Sequence, residues 1–225
     1  MKQVIQNIKT GATELQDIPT PLNKPGHVLI NSSNTLVSIG TERMLVNFGK
    51  GNYIQKALQQ PDKVKEVIQK IGTDGILPTV AAVSSKLSEP MPLGYCNAGV
   101  VIDSDISGFS KGDRVVSNGG HAEVVRVPKN LCARIPDNVD DESASFTVLG
   151  SVALQGVRLA SPTLGERIVV FGLGLVGLMT VQMLIANGCR VLGVDFDSAR
   201  CKLAEAYGAD CIDLSKGQEL IAAAS

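Results

Sequence analysis

The segment Arg167–Asp195, RIVVFGLGLVGLMTVQMLIANGCRVLGVD, constrains the fold of this chain more than any other stretch. It opens on a β-branched apolar run, Ile168–Phe171, of the length expected of a buried parallel strand. Gly172, Gly174 and Gly177 follow at once in the spacing G-x-G-x-x-G, with Leu175 and Val176 before the last glycine. A helix-period segment, Val176–Asn187, then runs to Gly188, which suits a helix C-terminus. A second apolar run, Val191–Val194, stops at Asp195.

Each part has a chemical reading. Gly172 allows a tight turn, Gly174 lets backbone approach a pyrophosphate, and Gly177 lets helix pack on strand. The helix N-terminus offers unpaired N–H groups and partial positive charge to that pyrophosphate. Asp195 stands about 20 residues past the glycines, where an acid accepts hydrogen bonds from a ribose 2′-OH. Arg200 can pair with a 2′-phosphate or lie against adenine, and it tempers a preference for NAD(H) that Asp195 sets. The expected cofactor-binding residues are Gly172, Gly174, Leu175, Val176, Gly177, Asp195 and Arg200. A strand–turn–helix unit that binds nothing is the bland alternative; the flanking strands and the acid argue for a dinucleotide site.

The chain of 225 residues allows one large or two ordinary domains, and 44% hydrophobic residues suffice for a packed core. A net charge of −1 leaves no electrostatic footprint for nucleic acid or an anionic membrane. No stretch approaches the apolar length of a membrane span, and the N-terminus has no signal-peptide core. The five cysteines are scattered, without C-x-x-C, which argues against a disulfide framework or zinc ribbon and for a reducing, cytoplasmic setting.

Residues 1–53 read as β structure, with strands at Val4–Ile8, Glu14–Ile18, His27–Ile30 and Thr35–Val37; His27 reads as a surface or sheet histidine. Residues 54–90 read as a helical insertion. Pro61–Ile71 is expected as an amphipathic helix closed by Gly72, followed by a weaker one, Leu77–Leu87, with Val80, Val83 and Leu87 on one face. Lys63, Lys65 and Lys70 read as a solvated face rather than a partner-binding patch. β character returns from Leu93 to Ile135 in short, turn-bounded strands that suggest a small barrel. The acidic run at Asp140–Glu142 suits a helix N-terminus, and one long helix, Ser143–Leu159, is expected to lead into the nucleotide-binding strand. The expected fold is α/β, with domains 1–140 and 141–225.

Gly112–Val116 (GDRVV), His121–Pro128 (HAEVVRVP) and Pro162–Gly177 (PTLGERIVVFGLGLVG) together resemble the medium-chain, alcohol-dehydrogenase-like dehydrogenase/reductase superfamily. The resemblance implies a GroES-like β-barrel domain at 1–140, followed by a Rossmann doubly wound parallel sheet at 141–225. GTERMLV, DKVKEVIQKI and LGYCNAGVV further resemble a subgroup that fuses such a half to a second oxidoreductase domain, similar to glucose–fructose oxidoreductase.

The departures from the superfamily pattern are as informative. Zinc-dependent members carry a cysteine where this chain has Ile39, in Ile39-Gly40-Thr41-Glu42, and a histidine where it has Tyr95. The third ligand position falls at Thr147, and the structural-zinc lobe is reduced to Ser117–Gly120. No metal site is expected. Glu42, Cys96, His121 and Cys132 are the residues that could in principle be recruited to a relocated one. Thr41 matches the superfamily hydroxyl that passes a proton between substrate oxygen and solvent; it is read equally as an ordinary strand-end residue. Tyr95 is an alternative proton donor or a space filler, Cys96 a buried hydrophobe, and His121 a structural residue near a sheet edge.

After Asp195 a helix (Ser198–Tyr207), a third strand (Cys211–Leu214) and the start of another helix are expected, which is one half of a Rossmann domain. The chain therefore reads as a fragment or a truncated gene product, inactive alone, whose third strand is an open edge prone to association. Its expected function is zinc-independent, NAD(H)-dependent hydride transfer between cofactor and a small alcohol or carbonyl substrate, with Thr41 and Tyr95 as catalytic groups. The alternative is a non-catalytic dinucleotide-binding module or scaffold. A homo-oligomer or a C-terminal domain are the expected partners.

Overall fold

In the computed structural model, residues 1–51 and 53–217 are described, and they fall into a first unit, Met1–Ser145, and a second that begins at Phe146. The helix start expected after the third strand lies outside the described residues.

In the first unit, β1 (Lys2–Asn7) pairs antiparallel with β2 (Thr13–Asp17) on one side and β4 (Pro90–Pro92) on the other. A larger sheet holds β3 (His27–Thr35), β5 (Asn97–Ser104), β6 (Arg114–Ser117), β7 (Val124–Pro128) and β8 (Cys132–Arg134) in the order β7-β3-β5-β6-β8. Alternate residues of a strand share one face. Val28, Ile30, Val101, Val115, Val125 and Val127 use that rule to build the unit's apolar core. A single bridge, Gln3–Ala122, links β1 to the segment entering β7. His27, the first residue of β3, sets its ring Nδ1 3.0 Å from the Pro25 carbonyl.

The reading of residues 1–53 as β structure is wrong beyond β3. Helix α1 (Ile39–Lys50) begins where a strand end was expected. Its N-terminus is closed by Glu42, whose Oε1 accepts the Ser38 N–H at 2.8 Å. The usual capping box places its acid three residues after the cap. Here the spacing is one residue longer, so the sequence does not show the familiar pattern. The helical stretch thus starts at 39 rather than 54 and continues through α2 (Tyr53–Gln59), α3 (Pro61–Asp74) and α4 (Ile76–Ser88). Pro61 opens α3 as expected, but Gly72 lies inside the helix and Gly75, at φ 88°, ends it. On α4 the buried residue is Thr79, while Val80 is exposed. Lys63, Lys65 and Lys70 each pair with an acid on their own helix, at 2.8, 3.7 and 3.9 Å.

The expected single helix 143–159 is two. Asp140 caps α5 (Asp141–Ala144) by accepting the Ser143 N–H at 2.7 Å. Ser145 then shares its N–H between the Asp141 and Glu142 carbonyls and donates its hydroxyl back to Glu142 O at 2.7 Å. Such local back-bonding competes with the ladder, and α6 (Thr147–Ala160) restarts it.

The second unit alternates β9 (Arg167–Phe171), α7 (Leu175–Ala186), β10 (Arg190–Asp195), α8 (Ser198–Ala206) and β11 (Asp210–Asp213). Its strands are parallel in the order β11-β10-β9. Leu173, Val181, Leu184, Val191, Cys201 and Ala204 form the core, with Ile168 and Val170 packed against it. One expectation needs correction. β9 is not buried on both faces, since Val169 and Phe171 are 46% and 69% exposed on the face opposite Ile168 and Val170. The third strand, β11, ends the described sheet on one side as an edge, as expected, and β9 ends it on the other. None of the five cysteines is in a disulfide, and among the described residues no helix is long and apolar enough to cross a membrane.

Asp141 ties α5 to β3 and to β6. It accepts the Ser33 hydroxyl at 2.5 Å and Arg114 Nη2 and Nε at 2.6 and 2.9 Å. The Ser33 hydrogen bond, helped by Arg114 and opposed by burial, holds its carboxyl below the ordinary value. Asp141→Asn should cost the first unit ~1–2 kcal/mol at pH 7, the low end for charged hydrogen bonds because both partners keep some solvent. A carboxyl depressed in the folded state contributes fully above its unfolded value and loses that contribution as pH falls through the folded one. Urea unfolding should therefore show the gap between wild type and variant closing below about pH 4.

Candidate functional site

The glycine loop follows from what each neighbour demands. β9 ends at Phe171, and Gly172, at φ 84°, turns the chain while its N–H continues the ladder to Val194 O at 2.8 Å. Leu173 is fully buried in the core. Its seat exists because β10 carries Gly193, where a Cβ would stand 3.0 Å from Leu173 Cδ2. A glycine inside a strand marks close approach, and that was the signal for this contact, which the sequence reading passed over. Gly174 is the N-cap of α7 and brings no side-chain cap. A Cβ there would meet nothing within 4 Å, so open space lies before the helix amides. Leu175, Val176 and Gly177 form the first turn, whose N–H groups have no partner within the helix. A Cβ at Gly177 would drive into the carbonyl oxygen of Gly172.

Asp195 ends β10 beside this loop. Its Oδ2 accepts the Leu173 N–H at 2.6 Å and its Oδ1 the Asp197 N–H at 2.9 Å. Arg200 places Nη1 3.8 Å from Asp195 Oδ2 and Nε 3.5 Å from Asp197 Oδ2. Burial alone would raise the Asp195 carboxyl; the amides of Asp197 and Leu173, with Arg200, outweigh it and hold the value below ordinary. Asp195 is thus ionised and already fastens the loop, a role unforeseen from spacing. Each carboxylate oxygen can accept a further hydrogen bond. The loop residues and Asp195 are brought together, with Arg200 half-exposed at the margin.

A second cluster lies in the first unit. Thr41, exposed in the first turn of α1, accepts a hydrogen bond from the half-buried Tyr95 hydroxyl at 3.4 Å. Thr41 is therefore helical, not the strand-end residue the sequence suggested. His121 lies in the segment that enters β7, an edge strand of the larger sheet, and is buried, with Nε2 2.9 Å from Glu42 Oε2. Nothing in the sequence pairs two residues so far apart. Cys96 is fully buried. Ile39 is an exposed first residue of α1, and Thr147 an exposed first residue of α6. Among the described residues no three His, Cys, Asp or Glu side chains converge on a metal-sized site. Beside α1 a cavity of about 810 Å³ is lined by Gly40, Arg43, Met44, Phe48 and Met91, among others.

No family model matches the chain. An alcohol dehydrogenase from Geobacillus stearothermophilus is 33% identical over 94 residues, which are 41% of this chain and 28% of that protein. (R,R)-Butanediol dehydrogenase from Bacillus subtilis is 32% identical over 105 residues, 46% of this chain and 30% of that protein. The chain thus spans less than a third of either relative. Among solved structures, alcohol dehydrogenase TADH from Thermus sp. ATN1 superposes with a TM-score of 0.74 at 19% identity, covering 99% of this chain and 66% of that one. Over part of its length the chain is related to alcohol-dehydrogenase-like dehydrogenases, and its α/β fold is similar to theirs.

Gly177→Ala tests the loop geometry. Overpacking against a backbone carbonyl should cost ~1–3 kcal/mol, read as a lowered midpoint in thermal unfolding, whereas Gly174→Ala, which meets open space, should leave the midpoint near wild type.

Proposed function

We propose that this chain is the cofactor-holding part of an oxidoreductase that moves hydride between NAD(H) and a small alcohol or carbonyl compound, without zinc. In this reading the first unit takes the role of the GroES-like barrel domain and the second that of the leading half of a Rossmann domain. The observation that carries it is the loop at 172–177. Its uncapped helix N-terminus faces open space at Gly174 and stands beside an ionised Asp195.

The residues present fit a dinucleotide. The amides of Leu175, Val176 and Gly177 would meet the pyrophosphate, and Asp195 the ribose hydroxyls, with Arg200 against the adenosine end. The bound nicotinamide supplies the hydride. Tyr95 and Thr41 would hydrogen-bond the substrate oxygen, so that its charge is met by a proton donor as it develops. The cavity beside α1, with Arg43 at its wall, has room for a small substrate. The donor set does not suit catalytic zinc, which needs three protein ligands and an open position. Ile39, Tyr95 and Thr147 offer no usual ligand, and the nearest acid and imidazole bind each other. That same loss of ligands favours the second reading, a dinucleotide-binding module without catalysis.

Titration of the chain with NADH and NADPH separates these ideas. NADH should bind about tenfold more tightly, because Asp195 faces a 2′-phosphate with like charge. Asp195→Asn should narrow the difference. Tighter NADPH binding would assign the choice to Arg200, and binding of neither would sink the cofactor reading. NADH binding with no turnover of any alcohol or aldehyde by the whole protein would leave the non-catalytic module, whereas Tyr95→Phe and Thr41→Val should each lower a turnover that is present. Elemental analysis should find far less than one zinc per chain; stoichiometric zinc lost in Cys96→Ser would restore a metal site.

A further inference from the structure

The geometry points to the buried Glu42–His121 pair as the device that positions the Thr41 and Tyr95 hydroxyls against each other. The inference rests on the reading of those hydroxyls as the proton-handling pair, and it concerns two residues with no other part in that reading.

Glu42 immediately follows Thr41 on α1. One oxygen of its carboxylate accepts the Ser38 N–H at 2.8 Å, which fastens the turn from which Thr41 projects. The other lies 2.9 Å from His121 Nε2. His121 in turn is fixed to the segment that carries Tyr95. Its N–H donates to Leu93 O at 2.8 Å. Its ring lies flush against Gly94: a Cβ there would stand 2.6 Å from the ring Cγ and 2.7 Å from Cδ2. Gly94 sits at φ 88°, a conformation that any side chain would strain. One contact therefore spans the two backbone segments that end in the two hydroxyls.

The pair is isolated from water, with side chains 9% and 7% exposed. His121 Nδ1 is buried without a hydrogen-bond partner. An unpartnered buried nitrogen is a cost, and the ring nitrogen that has a partner is Nε2, which holds Glu42. The Tyr95 hydroxyl donates to Thr41 rather than to either member of the pair, so the pair acts through backbone placement.

The test is carried out on the whole chain by NMR, with tyrosine labelled with ¹³C at Cζ. The chain has three tyrosines, and Tyr95→Phe assigns the relevant signal. Thr41→Val sets the displacement that follows loss of the hydroxyl contact. Glu42→Ala and His121→Phe should each move the Tyr95 signal in the same direction, by at least half that displacement, and leave Tyr207 in place. Glu42→Gln, whose single amide oxygen can accept from only one of the Ser38 N–H and the ring Nε2–H, should move the Tyr95 signal in the same direction but less than Glu42→Ala. Folded Glu42→Ala and His121→Phe proteins with an unmoved Tyr95 signal, or with Tyr207 equally moved, would overturn the inference. Should both variants fail to fold, the wild-type histidine ¹⁵N spectrum decides, with His27→Gln assigning the two residues. A His121 ring proton on Nε2 that exchanges far more slowly than that of His27 supports the inference. A proton on Nδ1 alone, or exchange as fast as His27, refutes it. These readings need neither cofactor nor substrate, so absent NADH binding would count against the functional proposal and not against this one.

Discussion

The carbonyl oxygen of Gly172 occupies the space where a side chain on residue 177 would begin, and this contact sets how closely α7 can approach the end of β9. The rest of the second unit follows from it. With α7 drawn in, Leu173 points into the core rather than out, and Gly193 on the next strand clears its seat. With Leu173 inward, its N–H is aimed along the strand ends, where Asp195 accepts it. The same carboxylate is then held ionised by amides and by Arg200 despite its burial. Packing and charge are thus parts of one arrangement: the small residues that allow close approach also create the uncapped, positive helix end beside a fixed negative group.

The first unit relies on a different kind of constraint. Its sheet is ordinary in its chemistry, with alternate valines and isoleucines on one buried face. What is unusual is the buried acid and imidazole below α1, which join residues far apart in the chain. Buried charged groups are costly unless paired and hydrogen-bonded. Here one carboxylate oxygen has a backbone N–H and the other a ring nitrogen, so both sites are used. Three His, Cys, Asp or Glu side chains do not meet anywhere among the described residues, and the positions matched to the ligands of zinc-dependent dehydrogenases hold Ile39, Tyr95 and Thr147.

Local pattern went furthest where the determining contacts are close in sequence. The strand, glycine turn, helix and second strand of Arg167–Asp195 all form, as does the proline-led helix α3 and the cap at Asp140. It failed at α1, where the capping acid stands one residue beyond the familiar spacing, and at Ser145, where a serine hydroxyl interrupts a helix that periodicity alone would continue. It also misjudged β9, because an apolar run says how a strand could be buried but not which of its faces receives a covering layer.

By itself the sequence determined the G-x-G-x-x-G turn between strand and helix and the acid that ends the second strand, since each depends on residue type at short spacing. Only the tertiary structure decided that Asp195 fastens the loop through the Leu173 amide, that one face of β9 stays exposed, that Thr41 meets Tyr95 and that Glu42 finds His121. Those are contacts between residues brought together by strand order and chain reversal, and one chain read in isolation carries no distance between them.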